Sequence, residues 1–268
     1  MPNPGSALVA TDLDGTLLHT DGTVTAYTRS VLEALDAHGV PVVFVTGRPI
    51  RWMDSLWDAV GGHGLAICSN GGIVYDVARH EVRNALTIDP DVCVQVGRIL
   101  RKAIPGTTFA LEKTGGFAIE DTFRPRAGAP LDIHTGSLEE IVDGSVVKLL
   151  AHHHELAPEA FWHLVEENVG SLVTTTWSSV GALVEMSGAG VTKASTLARL
   201  ASELGVAQAD VIAFGDMPND IDMLLWAGRD YAMTNAHPSV RRIASALAPP
   251  NDEDGVAVTL AGLFDLPV

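Results

Sequence analysis

The stretch ALVATDLDGTLL, residues 7–18, holds an apolar run that stops on two acids, Asp12 and Asp14, with Gly15 and Thr16 directly behind. ALVAT (7–11) is short and continuously apolar, the pattern of a buried strand. Carboxylates two residues apart repel each other unless something positive lies between them. The rest of the chain has to supply that charge.

Composition narrows the partners. The 268 residues suffice for one large domain or two of ordinary size, and 47% hydrophobic with 19% charged residues suits a globular protein with a real core. The formal net charge is −16, which argues against a nucleic-acid partner and against an anionic membrane surface. A phosphorylated substrate is still compatible, because one local cation overrides the global field. Cys68 and Cys93 show no CxxC spacing and read as buried free thiols in a reducing compartment. MPNPGS lacks the basic and apolar regions of a signal peptide, and GVPVVFVTG is far too short to span a bilayer. The expected location is the cytoplasm, with no membrane partner.

Working outward from residues 7–18, two periods alternate. Tyr27, Val31, Ala34 and Leu35 recur at helical spacing between Thr23 and His38, and Gly39 ends the pattern. PVVFVTG (41–47) is β-branched and continuous, a helical stretch covers about 49–60, and GLAICSN (64–70) is a third strand. Strand–helix–strand–helix–strand predicts a parallel sheet flanked by helices. The same pattern returns late, as a helix over 192–204, a strand at 210–216, a short helix from about 219 and a strand at 231–235. Between them the texture changes. Asp89 caps a helix with Pro90 in its first position, running to about Ala103. A hairpin spans 107–121 around Gly115-Gly116, a strand lies at 145–151 and a helix over 158–168. Two further strand-like runs, SLVTTTW and ALVEM, follow. Strands met in pairs predict an antiparallel sheet with helices on one side, a second domain at about 84–187 inserted into the first.

Ligands of open parallel sheets bind beyond the carboxyl ends of the strands. Here those ends carry Asp12 and Asp14; Thr46, Gly47 and Arg48; Ser69, Asn70, Gly71 and Gly72; and Gly215 and Asp216, with Asn219 and Asp220 one turn on. Lys193 opens the helix before the last of these strands. Four acids on one rim need a cation, and an oxygen-only donor set points to Mg²⁺. Lysine, threonine and glycine amides suit phosphate oxygens, so the rim permits phosphoryl transfer. Singly these signals are weak. A DxD pair also occurs in calcium loops and glycosyltransferases, although an EF-hand would need an acid or amide fifth and glycine sixth. A lone helix-start lysine is usually solvated.

In this order, DLDGT (12–16), VTGR (45–48), GVTKA (190–194) and GDMPNDIDM (215–223) resemble the four motifs of the haloacid dehalogenase-like (HAD) superfamily. SNGG (69–72) and the large insert resemble its Cof-type (IIB) hydrolases, over the whole chain. The resemblance implies an α/β fold, with a Rossmann-like parallel-sheet core at 1–83 and 188–268 and an inserted α/β cap at 84–187. It implies a Mg²⁺-dependent phosphatase acting on a small phosphomonoester, a sugar phosphate or similar metabolite. Asp12 would be the nucleophile, forming an aspartyl-phosphate and ligating Mg²⁺. Asp14 would act as general acid and base, with its main-chain carbonyl on the metal. Thr46, Gly47, Lys193 and Asn219 would hold the phosphate. Asp216 would ligate the metal, and Asp220 would support the metal shell or orient Lys193. Arg48, Asn70 and the EKTGG hairpin (112–116) are further candidates for contact with substrate.

The insert says less. If the strand at 145–151 continues into His152, His153 and His154, alternation separates His153 from the other two, so they cannot share one ion. Trp162 and Trp177 read as core. Two other functions compete. A phosphohexomutase would need a second phosphate site, for which Arg124 and Arg126 are the nearest residues. A phosphoryl-accepting signalling domain would carry its acceptor on a middle strand and be about half as long. Glycines 71, 72, 188 and 190 would permit a hinge.

Overall fold

β1 (Leu8–Thr11) is buried along its whole length, as an apolar strand in the middle of a covered sheet must be. The computed structural model describes residues 5–57, 60, 64–124, 133–177 and 181–267. The fold is α/β, and the chain divides into two compact units, Met1–Asn84 with Thr192–Val268, and Ala85–Val191.

The first half of the first unit runs β1, α1 (Ala26–Ala37), β2 (Val42–Val45), α2 (Asp54–Trp57), β3 (Leu65–Cys68), β4 (Ile73–Asp76) and β5 (Glu81–Ala85). The second unit holds α3 (Pro90–Ala103), β6 (Thr108–Lys113), β7 (Gly116–Glu120), β8 (His134–Gly136), α4 (Leu138–Ile141), β9 (Val146–His152), α5 (Pro158–Val169), β10 (Val173–Thr176) and β11 (Leu183–Gly188). The chain then returns to the first unit with α6 (Lys193–Glu203), β12 (Val211–Gly215), α7 (Ile221–Trp226), β13 (Arg229–Met233), α8 (Pro238–Ile243), β14 (Ala246–Ala248) and α9 (Gly255–Phe264).

The first sheet has the order β14-β13-β12-β1-β2-β3-β4-β5, parallel from β14 to β3. Register fixes which strand ends are neighbours. Thr11 lies opposite Phe214 on one side and Phe44 on the other. Asp12 therefore leaves the sheet beside Gly215, with its N–H bonded to the Phe214 carbonyl at 3.1 Å.

Two expectations need correction. The helix at 49–60 is a single tight turn at Ile50–Trp52, closed by an i→i+3 bond from Met53 N–H to the Ile50 carbonyl, followed by the short α2. Residues 58, 59 and 61–63 lie outside the described residues. The third strand stops at Cys68, not at 70, because Ser69, Asn70 and Gly71 take φ of 53°, 55° and 108°. This left-handed run reverses the chain into β4, antiparallel to β3. Gly71 also packs closely, since a Cβ there would lie 2.3 Å from the Thr192 carbonyl oxygen, an approach that only glycine permits.

In the second unit the order is β10-β11-β9-β6-β7-β8, antiparallel except for the parallel pair β7–β8. Asp89 caps α3, its carboxylate accepting from Asp91 N–H at 2.8 Å, with Pro90 in the first turn. Cys93, Val96 and Leu100 of α3 and Phe161, Val165 and Val169 of α5 form one core with Phe109, Leu149, Val184 and Met186 of the sheet. His152 and His154 pack ring to ring at 4.5 Å, while His153 faces Phe161 and donates from Nε2 to the Pro105 carbonyl, 3.1 Å away. Trp162 packs against the core and donates to Thr175 Oγ1; Trp177 is half-buried. In the EKTGG hairpin, Glu112 is buried and Lys113 pairs with Asp143 at 2.7 Å.

Both cysteines are fully buried, and burial pushes the Cys93 thiol up to about 12. An aromatic disulfide reagent is therefore expected to titrate no thiol in the native protein and both after unfolding. Prompt labelling of folded protein would contradict this packing.

Candidate active site

The carboxyl ends of β1 and β12 place three carboxylates around one ammonium. Lys193 opens α6, whose start is fixed by the side chain of Thr192 accepting from Ser195 N–H at 3.0 Å. Its side chain is 1% exposed and reaches back to the sheet, donating to Asp12 Oδ1 at 2.8 Å and to Asp220 Oδ1 at 2.7 Å. The second Asp220 oxygen accepts from the N–H groups of Asp216 and Met217, each at 3.1 Å. Asp220 is thus fully engaged, holding the lysine with one oxygen and the chain after β12 with the other.

Asp216 is tied to the β1 loop. Thr16 donates its hydroxyl to Asp216 Oδ1 at 2.8 Å, so it bonds across to the next strand end, not back across its own turn as a local reading suggests. Gly15 has φ +74°, and a Cβ there would lie 2.5 Å from Asp216 Oδ2. Only glycine allows both that conformation and that approach.

Electrostatics follow from this arrangement. Burial pushes the Asp12 carboxyl well above its ordinary range, Asp220 and Asp216 add to the rise, and Lys193 opposes it. Asp216 is pushed up to about 7, by burial first and then by Asp220. Burial works to neutralise Lys193, yet Asp12 and Asp220 outweigh it and hold the ammonium more firmly charged than an ordinary lysine. Asp12, Asp216 and Asp220 offer oxygens within 4.8 Å of one another, all three residues buried. Three negative charges against one positive leave two unbalanced, which is the charge of one divalent cation. All the donors are oxygens, the set that a hard cation takes. Because Asp220 is engaged elsewhere, Asp12 and Asp216 are the side chains with capacity for a metal.

Asp14 stands apart. Its carboxylate is 58% exposed and accepts two bonds from Arg48, from Nε at 2.7 Å and from Nη2 at 2.5 Å. That fork holds Arg48 above its usual basicity. Thr46 is buried and accepts from Arg48 N–H at 3.0 Å, and Gly47 follows it in the same turn. The Ser69–Gly71 reversal is anchored to this turn by Asn70 N–H to the Thr46 carbonyl and Ser69 N–H to the Arg48 carbonyl. Asn70 Oδ1 accepts from Asn219 Nδ2 at 3.1 Å, so part of the donor capacity predicted for phosphate is spent inside the protein. Ser69 Oγ and Asn219 Oδ1 are buried with no hydrogen-bond partner among the described residues. The sequence places Ser69 at the strand end beside Asn70 but gives it no role of its own. Of the arginines considered for a second phosphate site, Arg124 is exposed and Arg126 lies outside the described residues.

Residues 9–260 match the family model of the haloacid dehalogenase-like hydrolases. Among curated relatives, the chain is 28% identical over 270 residues to the 5-amino-6-(5-phospho-D-ribitylamino)uracil phosphatase YitU of Bacillus subtilis (strain 168), covering 97% of this chain and 98% of that one. It is 29% identical over 238 residues to an HMP-PP phosphatase of Enterobacter sp. (strain 638), covering 87% and 86%. Among solved structures, the HAD subclass IIB sugar phosphatase BT4131 superposes with a TM-score of 0.81 at 21% identity, covering 97% of this chain and all of that one. With the family match spanning nearly the whole sequence, the chain belongs to the haloacid dehalogenase-like hydrolases and is a phosphoric monoester hydrolase.

Proposed function

We propose that the chain is a Mg²⁺-dependent phosphatase that hydrolyses a small phosphomonoester, a sugar phosphate or similar metabolite, through an aspartyl-phosphate on Asp12. The observation that carries this reading is the buried Lys193 ammonium fixed between Asp12 and Asp220, with Asp216 within ligand distance of both acids. In this mechanism the Asp12 carboxylate attacks phosphorus while the bond to the leaving oxygen breaks, and Asp14 delivers the proton that oxygen takes up. Asp14 then removes a proton from water as the water oxygen attacks phosphorus, the Asp12–phosphorus bond breaks and inorganic phosphate leaves. The Arg48 fork must open for Asp14 to do either. Lys193 and Thr46, with the Gly47 amide and Asn219, bind the phosphoryl oxygens. Asp220 orients Lys193. Asp12, Asp216 and the Asp14 main-chain carbonyl would hold Mg²⁺, which would supply charge neutralisation for the phosphoryl group.

We assign substrate choice to residues 84–187, and catalysis to 1–83 and 188–268, with Arg48 and Asn70 contacting substrate. YitU acts on a phosphorylated ribitylamino-uracil by its name, and BT4131 is a sugar phosphatase by its title, which supports a small polar phosphate ester as substrate. The test is phosphate release from a panel of sugar phosphates, nucleotides and phosphoglycolate. Turnover is expected only with Mg²⁺ and to vanish on chelation. Equal rates in chelator would overturn the metal requirement, and interconversion of hexose phosphates without phosphate release would make the protein a mutase.

A further inference from the structure

The rim that carries the acids continues over two more strands. β13 and β14 run parallel to β12, and just beyond their carboxyl ends stand Asn235 and Asn251. Both side chains turn to the loop that carries Asp14. That loop is closed on itself by the Leu13 carbonyl, which accepts from the N–H groups of Thr16 at 3.2 Å and Leu18 at 2.9 Å. Two of its own carbonyls, those of Gly15 and Leu18, go to the asparagines. Asn235 Nδ2 donates to Gly15 O at 2.8 Å, and Asn251 Nδ2 donates to Leu18 O at 2.9 Å. The asparagines are joined to each other, since Asn235 Oδ1 accepts from the Asn251 main-chain N–H at 3.1 Å. A carbonyl oxygen only accepts, so the amide nitrogens must face the loop. An aspartate has the same shape but no such donor.

We propose that Asn235 and Asn251 form a positioning relay, which sets the loop that presents the Asp14 carboxyl to the leaving oxygen. The relay acts through the backbone on either side of Gly15. Thr16 ties the same loop to Asp216, so the loop is held from two sides, one bearing on the acid cluster and the other on Asp14. Asn235 is exposed, with no share in the buried core, so its two bridging bonds serve the loop. This inference rests on the proposed role of Asp14 as general acid.

A leaving-group comparison tests it. Nitrophenolate departs without a proton, whereas a sugar or alkyl alkoxide needs one. The ratio kcat/KM covers only the steps up to phosphoryl transfer to Asp12. In Asn235→Asp, kcat/KM for an alkyl phosphomonoester is expected to fall about tenfold, with that for p-nitrophenyl phosphate changing less than about twofold. Asn235→Ala should show the same selectivity with a smaller fall, because it removes the donor without setting a carboxylate against the Gly15 carbonyl. Asn251 is buried, so Asn251→Asp is read beside its melting temperature. An equal fall for both esters would mean that the asparagines act on the acid cluster, and no fall in either would mean that they act on neither; each result overturns the relay. A wild type without phosphatase activity, or an Asp12→Asn variant that retains it, would instead overturn the proposed function itself.

Discussion

Asp12→Asn is expected to lower phosphomonoester turnover by at least about 10³-fold while leaving the fold as stable as before or more so. The two halves of this expectation have separate causes. An amide oxygen cannot form the aspartyl-phosphate at a useful rate, so the covalent route closes. Stability moves the other way because the folded protein holds Asp12 against burial and two neighbouring carboxylates, with Lys193 as the opposing cation. The substitution removes one of three negative charges, and Lys193 keeps its bond to Asp220. A carboxyl whose folded pKa is raised costs stability above its unfolded pKa, and the cost grows as pH rises to the folded value. The metal-free variant should therefore gain most in melting temperature near neutral pH and least in acid. Steady-state phosphate release and thermal melts in chelator measure both halves. Activity within about tenfold of wild type would move the nucleophile to another residue.

The same carboxylates show how far sequence reading reached. The apolar runs ending at Asp12, Thr46 and Asp216 announced themselves as strands because a strand covered on both faces has no polar alternation to hide it. Parallel register then brings their ends side by side, and the acids with them. The capped start of α3 and the hairpin at Gly115 were equally legible, since Asp-Pro and Gly-Gly each impose a local geometry. What escaped lacked a local signal. β5 reads EVRNA, polar and mostly exposed, and is a strand only because β4 offers an edge. β14 has three residues, and α9 is apolar nearly all round, so neither shows a period. The reversal at Ser69–Gly71 depends on two non-glycine residues in left-handed conformation, which no composition rule anticipates. Within the site, the reading gathered four acids on one rim. The structure draws three of them around Lys193 and gives the Asp14 carboxylate to Arg48, a partition that depends on side-chain direction. Asn235 and Asn251 were missed because amides that bind backbone carry no spacing motif.

Lys193→Ala is expected to be the most damaging single change to the folded state. The ammonium is sealed among Asp12 and Asp220, and both of its neighbours count on it for charge balance. Breaking a buried ion pair by removing one partner costs about 3–5 kcal/mol, because the other charge stays buried without compensation. In a chain of this size that lowers the melting temperature by roughly 10 °C. The loss should depend on pH in a direction fixed by linkage. Without the lysine, which opposes the rise at Asp12, the folded-state pKa of Asp12 goes up further, so the native protein binds more protons than the unfolded chain across the range between. Stability of the variant then falls as pH rises, and the gap to wild type should be small near about pH 5 and wide near about pH 8. Millimolar Mg²⁺ should recover part of the loss, since a cation that binds only the native cluster stabilises it by mass action. Adding Asp220→Asn to Lys193→Ala should recover another part, by removing one of the two carboxylates that lost their partner. Turnover should not return in either case, because phosphate would still lack its lysine. Melts of the single and double variants at both pH values, with and without Mg²⁺, decide the matter. A single variant that melts within about 2 °C of wild type near pH 8 in chelator would mean that Lys193 does not balance this cluster.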